Sequence, residues 1–264
     1  MKLEALTYPE VAALIEEGVP LLLPVGAIEQ HGPHLPLGTD GIIPYELAER
    51  VAKGRRLVVA PPMFYGAYSR PRSGGGRHFP GSVGLSGRVL ERTVSTLLAD
   101  WFRQGFRNVV VLNGHWENAW TLLEAIEQAI TPYSESGHRG LLVNWWDQVR
   151  PDDIKKIFGD AFPGWEADHA SITETSMLEF LRPELVKTEL KAAGGARRTT
   201  TYDIFPPPDD ILWPNGIGNT ALPASAAIGQ QLVELLVERI GGIIDREFAY
   251  PLPNPPHKGE GGKP

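Results

Sequence analysis

The sequence contains no cysteine among its 264 residues. Disulfides, thiolate zinc sites and a cysteine nucleophile are therefore excluded, and any metal ligands must be histidines and carboxylates. Basic residues are also scarce, because 25 Lys and Arg stand against 32 Asp and Glu, a formal charge of −7. Nucleic-acid binding usually needs a basic face, so this balance argues against a nucleic-acid partner.

Long hydrophobic runs are missing as well. A helix that crosses a bilayer needs about 20 apolar residues, and no run in this sequence approaches that length. The N-terminal stretch MKLEALTYPEVAALIEEG has charges scattered among its apolar residues, so it lacks the continuous apolar core of a signal peptide. These features predict a soluble, cytoplasmic protein without a membrane partner.

Short apolar runs alternate with helical patterns along the chain. The runs PLLLPVG, LVVAPP, NVVVLNG and LLVNWW are typical of buried strands. Helices are predicted over 42–51 and 86–104, and in the segments WENAWTLLEAIEQAI, HASITETSMLEFL and ASAAIGQQLVELLVERIGGIIDREF. The alternation predicts an α/β fold, a single-domain layered sandwich whose mainly parallel central sheet is flanked by helices. Trp101 and Trp120 lie at helical spacing and are predicted to pack in the core.

Local signals mark several boundaries. The segment TYPE predicts a helix start in which Thr7 caps and Glu10 reciprocates, and Gly18 suits the end of that helix. The glycine-rich segment YGAYSRPRSGGGRHFPGS is predicted to be a long functional loop. One domain should occupy residues 1–250, and the Pro- and Gly-rich residues 251–264 are predicted to form a disordered tail.

Two loops that follow predicted strands are rich in metal-ligand side chains. The first, GAIEQHGPHLPLGTD, follows the run PLLLPV, and the second, NGHWEN, follows the run NVVVL. Ligands of parallel α/β sheets bind beyond the carboxyl ends of the strands, so we expect the two loops to share one site. Together they carry Glu29, His31, His34, Asp40, His115 and Glu117.

This set of three carboxylates and two or three imidazoles exceeds the needs of one tetrahedral zinc ion. Two divalent ions, bridged by a carboxylate and a water, would use it well. They would also relieve the repulsion among closely packed carboxylates. Proline and glycine around Glu29 and Asp40 would stiffen the turns that fix these ligands. The alternative is that the carboxylates are solvated and the histidines hydrogen-bonded, without a metal.

The same two segments resemble the signature segments of the creatininase (creatinine amidohydrolase) family. The resemblance continues through SGGGRHFPGS, NWWD and GWEADHASITETS, which are spread over most of the chain. The later, tryptophan-bearing segments favour creatininase proper over other branches of the superfamily. The resemblance implies a hydrolase with two divalent ions, zinc or manganese, in each subunit. It also implies a homo-oligomer, a hexamer.

By this resemblance, Glu29, Asp40 and His115 hold one ion. His31 and Glu117 hold the other, and Asp40 bridges both. Glu117 also has a catalytic part, because it orients or deprotonates the reacting water while it binds metal.

His169 resembles the family's proton-shuttling histidine, which would supply the proton that a leaving nitrogen needs. The alternative for His169 is an ordinary residue at the start of a helix. Directly after it, Ala170 and Ser171 replace a pair of glycines of the family. His34 falls at a position that is not a direct ligand and is predicted to support the turn.

The resemblance also implies a set of substrate contacts. Trp146 and Trp165 match the pocket tryptophans, whose faces can stack on a small ring or hold a guanidinium-like group. Ser73 lies in a segment similar to a substrate-contacting loop. Trp116 stands where the family has tyrosine, and Glu166 stands where it has aspartate. Both border the pocket, so they bear on which ring fits.

The leading hypothesis is the hydrolysis of creatinine to creatine by opening the lactam C–N bond. The same two-ion apparatus could instead act on another small substrate, such as a different lactam, a formamide, or a cyclic diketone like a dehydro-inosose cleaved at a carbon–carbon bond. A protein of another class, a non-catalytic metabolite-binding module, would have little need of two metal ions.

Overall fold

A four-stranded parallel sheet forms the centre of the fold. The computed structural model describes residues 1–74 and 76–249, and the predicted disordered tail, 251–264, lies outside the described residues. The strands are β1 (Leu21–Val25), β2 (Val58–Val59), β3 (Asn108–Asn113) and β4 (Arg139–Asn144). Their order is β2-β1-β3-β4, and every pairing is parallel. The predicted α/β class and its parallel sheet are confirmed.

Helices cover both faces of the sheet because side chains of a strand point alternately to opposite faces. Leu21 and Val109 pack into a core beneath α1, α3 and α4, whereas Leu22 and Val110 pack into a second core beneath α2, α5, α6 and α7. These helices are α1 (Tyr8–Glu16), α2 (Thr39–Val51), α3 (Gly87–Gln104), α4 (Ala119–Ile130), α5 (Pro151–Phe158), α6 (Ile172–Leu181) and α7 (Ala226–Ala249).

The predicted helix signals act as expected. The backbone N–H of Thr7 donates to Glu10 Oε2 over 2.7 Å at the start of α1, and Gly18 follows its end with φ +72°. Gly105 closes α3 with φ +110°, a conformation that glycine adopts without a steric penalty. Across residues 1–74 and 76–249, no helix combines the length and apolar character needed to span a bilayer.

Two sequence predictions need correction, and one helix was missed. Helix α2 begins at Thr39 rather than near residue 42, which places Asp40 in its first turn instead of the preceding loop. Helix α5 was not predicted, because eight residues give too short a periodic signal. Trp120 is 76% exposed and lies outside the core, whereas Trp101 packs against the core as predicted.

The start of α2 is wedged between the ends of two strands. Gly26 follows β1 and Gly114 follows β3, and a Cβ at either position would collide with the backbone of Asp40. Pro44 lacks the N–H that would otherwise bond to the carbonyl of Asp40. The two glycines therefore allow a close approach of backbone segments that fixes where Asp40 stands.

Changing Gly114 to alanine should lower the free energy of unfolding by about 1–3 kcal/mol, the usual cost of overpacking a tight site. The new methyl group would press on the carbonyl of Asp40 and on the ring of Pro44. Urea denaturation measures the change. The control is Gly242→Ala in an exposed part of α7, where a Cβ meets nothing within 4 Å. That variant should gain about 0.5–1 kcal/mol in stability. Equal effects of both variants would refute the proposed close approach of Gly114 to the backbone of Asp40.

Candidate functional site

The candidate site lies at the carboxyl edge of the sheet. The loop after β1, the start of α2, and the turn after β3 meet there, so Glu29, Asp40 and His115 come together. One ligand atom from each of these three residues lies within 4.8 Å of the other two, and all three side chains are buried. His115 Nδ1 is 2.9 Å from Asp40 Oδ2 and 3.6 Å from Glu29 Oε2.

Asp40 stands between two histidines and offers one oxygen to each. His31 Nε2 is 3.1 Å from Asp40 Oδ1, whereas His115 Nδ1 approaches the other oxygen, Oδ2. His31 Nδ1 lies 3.0 Å from the backbone carbonyl of Glu29, to which it donates, so Nε2 is left as the free ligand atom. A single carboxylate between two imidazoles is the arrangement expected of a residue that bridges two cations.

The hydrogen bonding of these atoms fits a metal site. Among the described residues, His31 Nε2 and Asp40 Oδ2 are buried and have no hydrogen-bond partner. His115 Nε2 lies 3.1 Å from the carbonyl of Ala67, to which it donates, so the lone pair of Nδ1 faces Asp40. A lone pair and a carboxylate oxygen this close repel each other unless a proton or a cation lies between them. The donor set, nitrogen and oxygen only, suits zinc or manganese.

The electrostatics of the same residues show what balances the buried charge. Burial lowers the pKa of His115, but the surrounding carboxylates of Asp40, Glu117 and Glu29 together outweigh burial and raise that pKa to about 10. In His31 burial is again opposed, by Asp40 and Glu174, and its pKa rises. Burial would raise the pKa of Asp40, yet the two imidazoles hold it well below its usual range. Bound cations would displace these imidazole protons, because metal ligands must be deprotonated.

A second ligand group adjoins the first. It consists of His31, His169 and Glu174, with one ligand atom of each within 4.8 Å of the others. The rings of His31 and His169 lie 4.4 Å apart, and Glu174 Oε2 is 3.7 Å from His31 Nε2. Sequence reasoning missed Glu174, because the only local signal is an acidic residue in the first turn of α6.

Glu117 is close to His115 but belongs to neither of the two ligand groups described above. Its Oε2 is 3.5 Å from His115 Nε2, and its Oε1 accepts a hydrogen bond from Ser73 Oγ over 2.6 Å. The structure thus gathers Glu29, Asp40, His115 and His31, and places Glu117 beside them.

His169 is held by a tight turn before α6. The Nε2 atom of His169 is 2.9 Å from the backbone carbonyl of Gln30. The backbone carbonyl of His169 accepts a hydrogen bond from the N–H of Gly218 over 2.7 Å. Ala170 has φ +51°, a left-handed conformation that is costly for a residue with a Cβ. Glu174 Oε2 stabilises that conformation by accepting the N–H of Ala170 over 2.7 Å. The turn therefore presents the imidazole of His169 to the cavity.

An aromatic pocket of about 730 Å³ opens above the ligands. Trp116 stacks on Trp146, with ring centroids 5.3 Å apart and planes 27° apart. Trp145 stands almost perpendicular to both Trp146 and Trp165. Trp120 lines the same pocket, which explains its exposure. The predicted Trp116, Trp146 and Trp165 thus share one cavity wall.

Charged side chains stand around the pocket, together with the other predicted contacts. Glu166 is largely exposed and lies 3.8 Å from Arg72 Nη2. Ser73 lines the pocket while its hydroxyl bonds to Glu117. Sequence reasoning missed the segment 197–203, whose Arg197 and Asp203 also line the cavity. That segment lacks regular structure, so periodicity gave no signal for it.

His34 lies outside both ligand groups. It is fully buried, and its Nε2 is 2.9 Å from Thr175 Oγ1 in α6. Burial lowers the pKa of His34 to about 4, so the ring is neutral at physiological pH. The side chain connects the first ligand loop to α6.

The profile of the Creatininase family, described as creatinine amidohydrolase, matches residues 4–244. The chain is 34% identical to the creatinine amidohydrolase of Pseudomonas putida over 248 residues, which are 92% of this chain and 95% of that protein. Two solved creatininases, one in a manganese form and one in a Zn–Zn form, each superpose on this chain with a TM-score of 0.89 at 32% identity. Both superpositions cover 94% of this chain; they cover 99% of the manganese form and 98% of the Zn–Zn form.

Other similar proteins carry different names. A mycofactocin precursor peptide peptidase of Mycolicibacterium smegmatis is 36% identical over 183 residues, 66% of this chain and 62% of that protein. A 3-dehydro-scyllo-inosose hydrolase of Thermotoga maritima is 25% identical over 189 residues, 70% of this chain and 58% of its own length. Proteins similar to this chain therefore act on chemically distinct substrates.

Proposed function

The chain belongs to the creatininase family and is a hydrolase, and from this premise we propose that it hydrolyses creatinine to creatine with two divalent ions. The observation that carries the proposal is the buried convergence of Glu29, His31, Asp40 and His115 at the base of an aromatic pocket. Creatinine is favoured because the likeness to a creatinine amidohydrolase extends over 95% of that protein's length.

The residues present would hold zinc or manganese ions. Glu29, Asp40 and His115 would bind one, and His31, Asp40 and Glu117 the other. Relatives solved in manganese and Zn–Zn forms support these identities. When bound, two such ions lower the pKa of a shared water and polarise a carbonyl.

The protein's own side chains would complete the reaction. Trp146 and Trp165 would bind the flat ring and its guanidinium-like part with their faces. Water adds its oxygen to the lactam carbonyl carbon and the C–N bond breaks. The nitrogen takes up a proton and the carbonyl becomes a carboxylate. Glu117 would orient the water, and His169 would pass the proton to the leaving nitrogen.

A direct assay tests the proposal. The protein is stripped of metal, reloaded with Mn²⁺ or Zn²⁺, and incubated with creatinine, and creatine formation is measured. Creatine should form in the loaded enzyme and not in the stripped one. A fully loaded protein that leaves creatinine unchanged would contradict the assignment of substrate.

The same apparatus acting on another lactam, a formamide or a cyclic diketone is the second candidate. Trp116 favours it, because this half-exposed indole stacks on Trp146 where the resemblance implies a tyrosine. A panel of such substrates, run beside creatinine on the same loaded protein, distinguishes the two.

Family resemblance also supports a homo-oligomer, a hexamer of the 28.9 kDa chain, which light scattering in solution would test.

A further inference from the structure

One loop forms hydrogen bonds with three of the proposed metal ligands. In the segment between β2 and α3, the carbonyl of Ala67 accepts a hydrogen bond from His115 Nε2. Ser69 Oγ donates to Glu29 Oε1, and four residues later Ser73 Oγ donates to Glu117 Oε1. The same loop also supplies one wall of the pocket.

The two serines contact their carboxylates in the same way. Each serine hydroxyl donates a hydrogen bond to Oε1 of its glutamate, which leaves Oε2 of that glutamate directed towards His115. Glu29 Oε2 lies 3.6 Å from His115 Nδ1, and Glu117 Oε2 lies 3.5 Å from His115 Nε2. The hydroxyl therefore decides which carboxylate oxygen is available to an ion.

The loop is anchored firmly enough to hold this geometry. Asn118 accepts the N–H of Ala67 over 2.7 Å and donates to the carbonyl of Gly26 over 2.9 Å. Leu85 donates to the carbonyl of Gly66 over 2.7 Å. Asn118, in the turn after β3, thus ties the loop to Gly26 at the end of β1, and the bond from Leu85 closes the loop on itself.

We propose that Ser69 is a positioning residue that sets the affinity for the ions through Glu29, and that Ser73 acts in the same way, more weakly, through Glu117. The inference rests on the two-ion site of the proposed function but not on creatinine as the substrate. Ser73 is the weaker of the two because its single proton is shared with the carbonyl of Arg70, 2.8 Å away. Glu117 Oε1 also has a second donor, the N–H of Arg70 at 3.3 Å.

Removing the hydroxyl of Ser69 should weaken Mn²⁺ binding about 10–100-fold, the range found for partners that orient metal ligands. Without it, Glu29 Oε1 loses its donor and the carboxylate can rotate away from His115. Ser73→Ala should cost less than about tenfold, because Arg70 still donates. Titration of Mn²⁺ into metal-free protein, followed by calorimetry or by competition with a chelator, measures both effects.

Two further variants make the test specific. Ser69→Thr keeps a hydroxyl and should bind Mn²⁺ within a few-fold of wild type. Ser95→Ala removes a buried hydroxyl that donates to the carbonyl of Arg92 within α3 and neither lines the pocket nor belongs to a ligand group, so it should leave affinity unchanged. Thermal unfolding of each metal-free variant shows whether the fold survives.

Each outcome has one meaning. Weaker binding confined to Ser69→Ala, with rescue by threonine, supports the proposal. Unchanged affinity in Ser69→Ala, or equal losses in Ser69→Ala and Ser95→Ala, overturns it. Wild-type protein that takes up no Mn²⁺ would overturn both this proposal and the proposed function. Normal Mn²⁺ binding without creatinine turnover would refute only the assignment of creatinine as the substrate.

Discussion

Replacing Asp40 with asparagine should abolish the uptake of at least one ion and reduce kcat/KM by roughly 10³-fold or more. The carboxylate offers one oxygen towards His31 and the other towards His115. An amide has no charge and only one acceptor atom, so it cannot replace both contacts. Bound ions contribute several kcal/mol to catalysis, and each 1.36 kcal/mol is a factor of about ten in rate.

Elemental analysis of the purified variant, beside steady-state kinetics, measures both effects. Asp100→Asn is the matched control, because Asp100 is an exposed residue of α3 that pairs with Arg103 one helical turn away. It should retain two ions and full activity. The proposed bridging role of Asp40 would be refuted if the Asp40→Asn protein still held two ions and turned over at a near-normal rate.

The change His169→Ala should lower kcat about 10²–10⁴-fold, the usual contribution of a positioned acid–base group, while both ions stay bound. The ring lines the pocket beside the proposed ligands, and the carbonyl of Gln30 and the turn at Ala170 hold it in place. Added imidazole should restore part of the activity, since it can enter the space that the side chain leaves.

The metal content of that variant decides between two roles. His169 also belongs to the group with His31 and Glu174, so the loss of one ion would make it a ligand instead of a proton carrier. His138→Ala is the control, because His138 precedes β4 at the opposite edge of the sheet. It should change neither activity nor metal content.

The sequence predicted those parts of the fold that depend on local signals. Buried strands are short apolar runs, and β1 and β3 were placed correctly because each is a nearly uninterrupted run. Parallel pairing then implies that the residues after both strands meet at one edge. The convergence of Glu29 with His115 follows from that rule, although 86 positions separate them in the printed sequence.

Other parts depend on contacts between distant segments and gave no local signal. The early start of α2, and with it the place of Asp40, depends on glycines after two different strands. Glu174 reaches His31 only because α6 packs behind the first loop. Trp120 has the spacing of a core residue, and only the packing of α4 decides that this side of the helix faces the pocket.

The stacked pair formed by Trp116 and Trp146 gives the pocket a built-in optical reporter. Two indoles with centroids 5.3 Å apart are close enough for their transitions to couple, and we expect this coupling to contribute to the circular dichroism of the protein. A ring that inserts between the indoles, or tilts one of them, alters this signal whether or not a bond is cleaved. Candidate compounds can therefore be ranked by occupancy alone, before any product is sought.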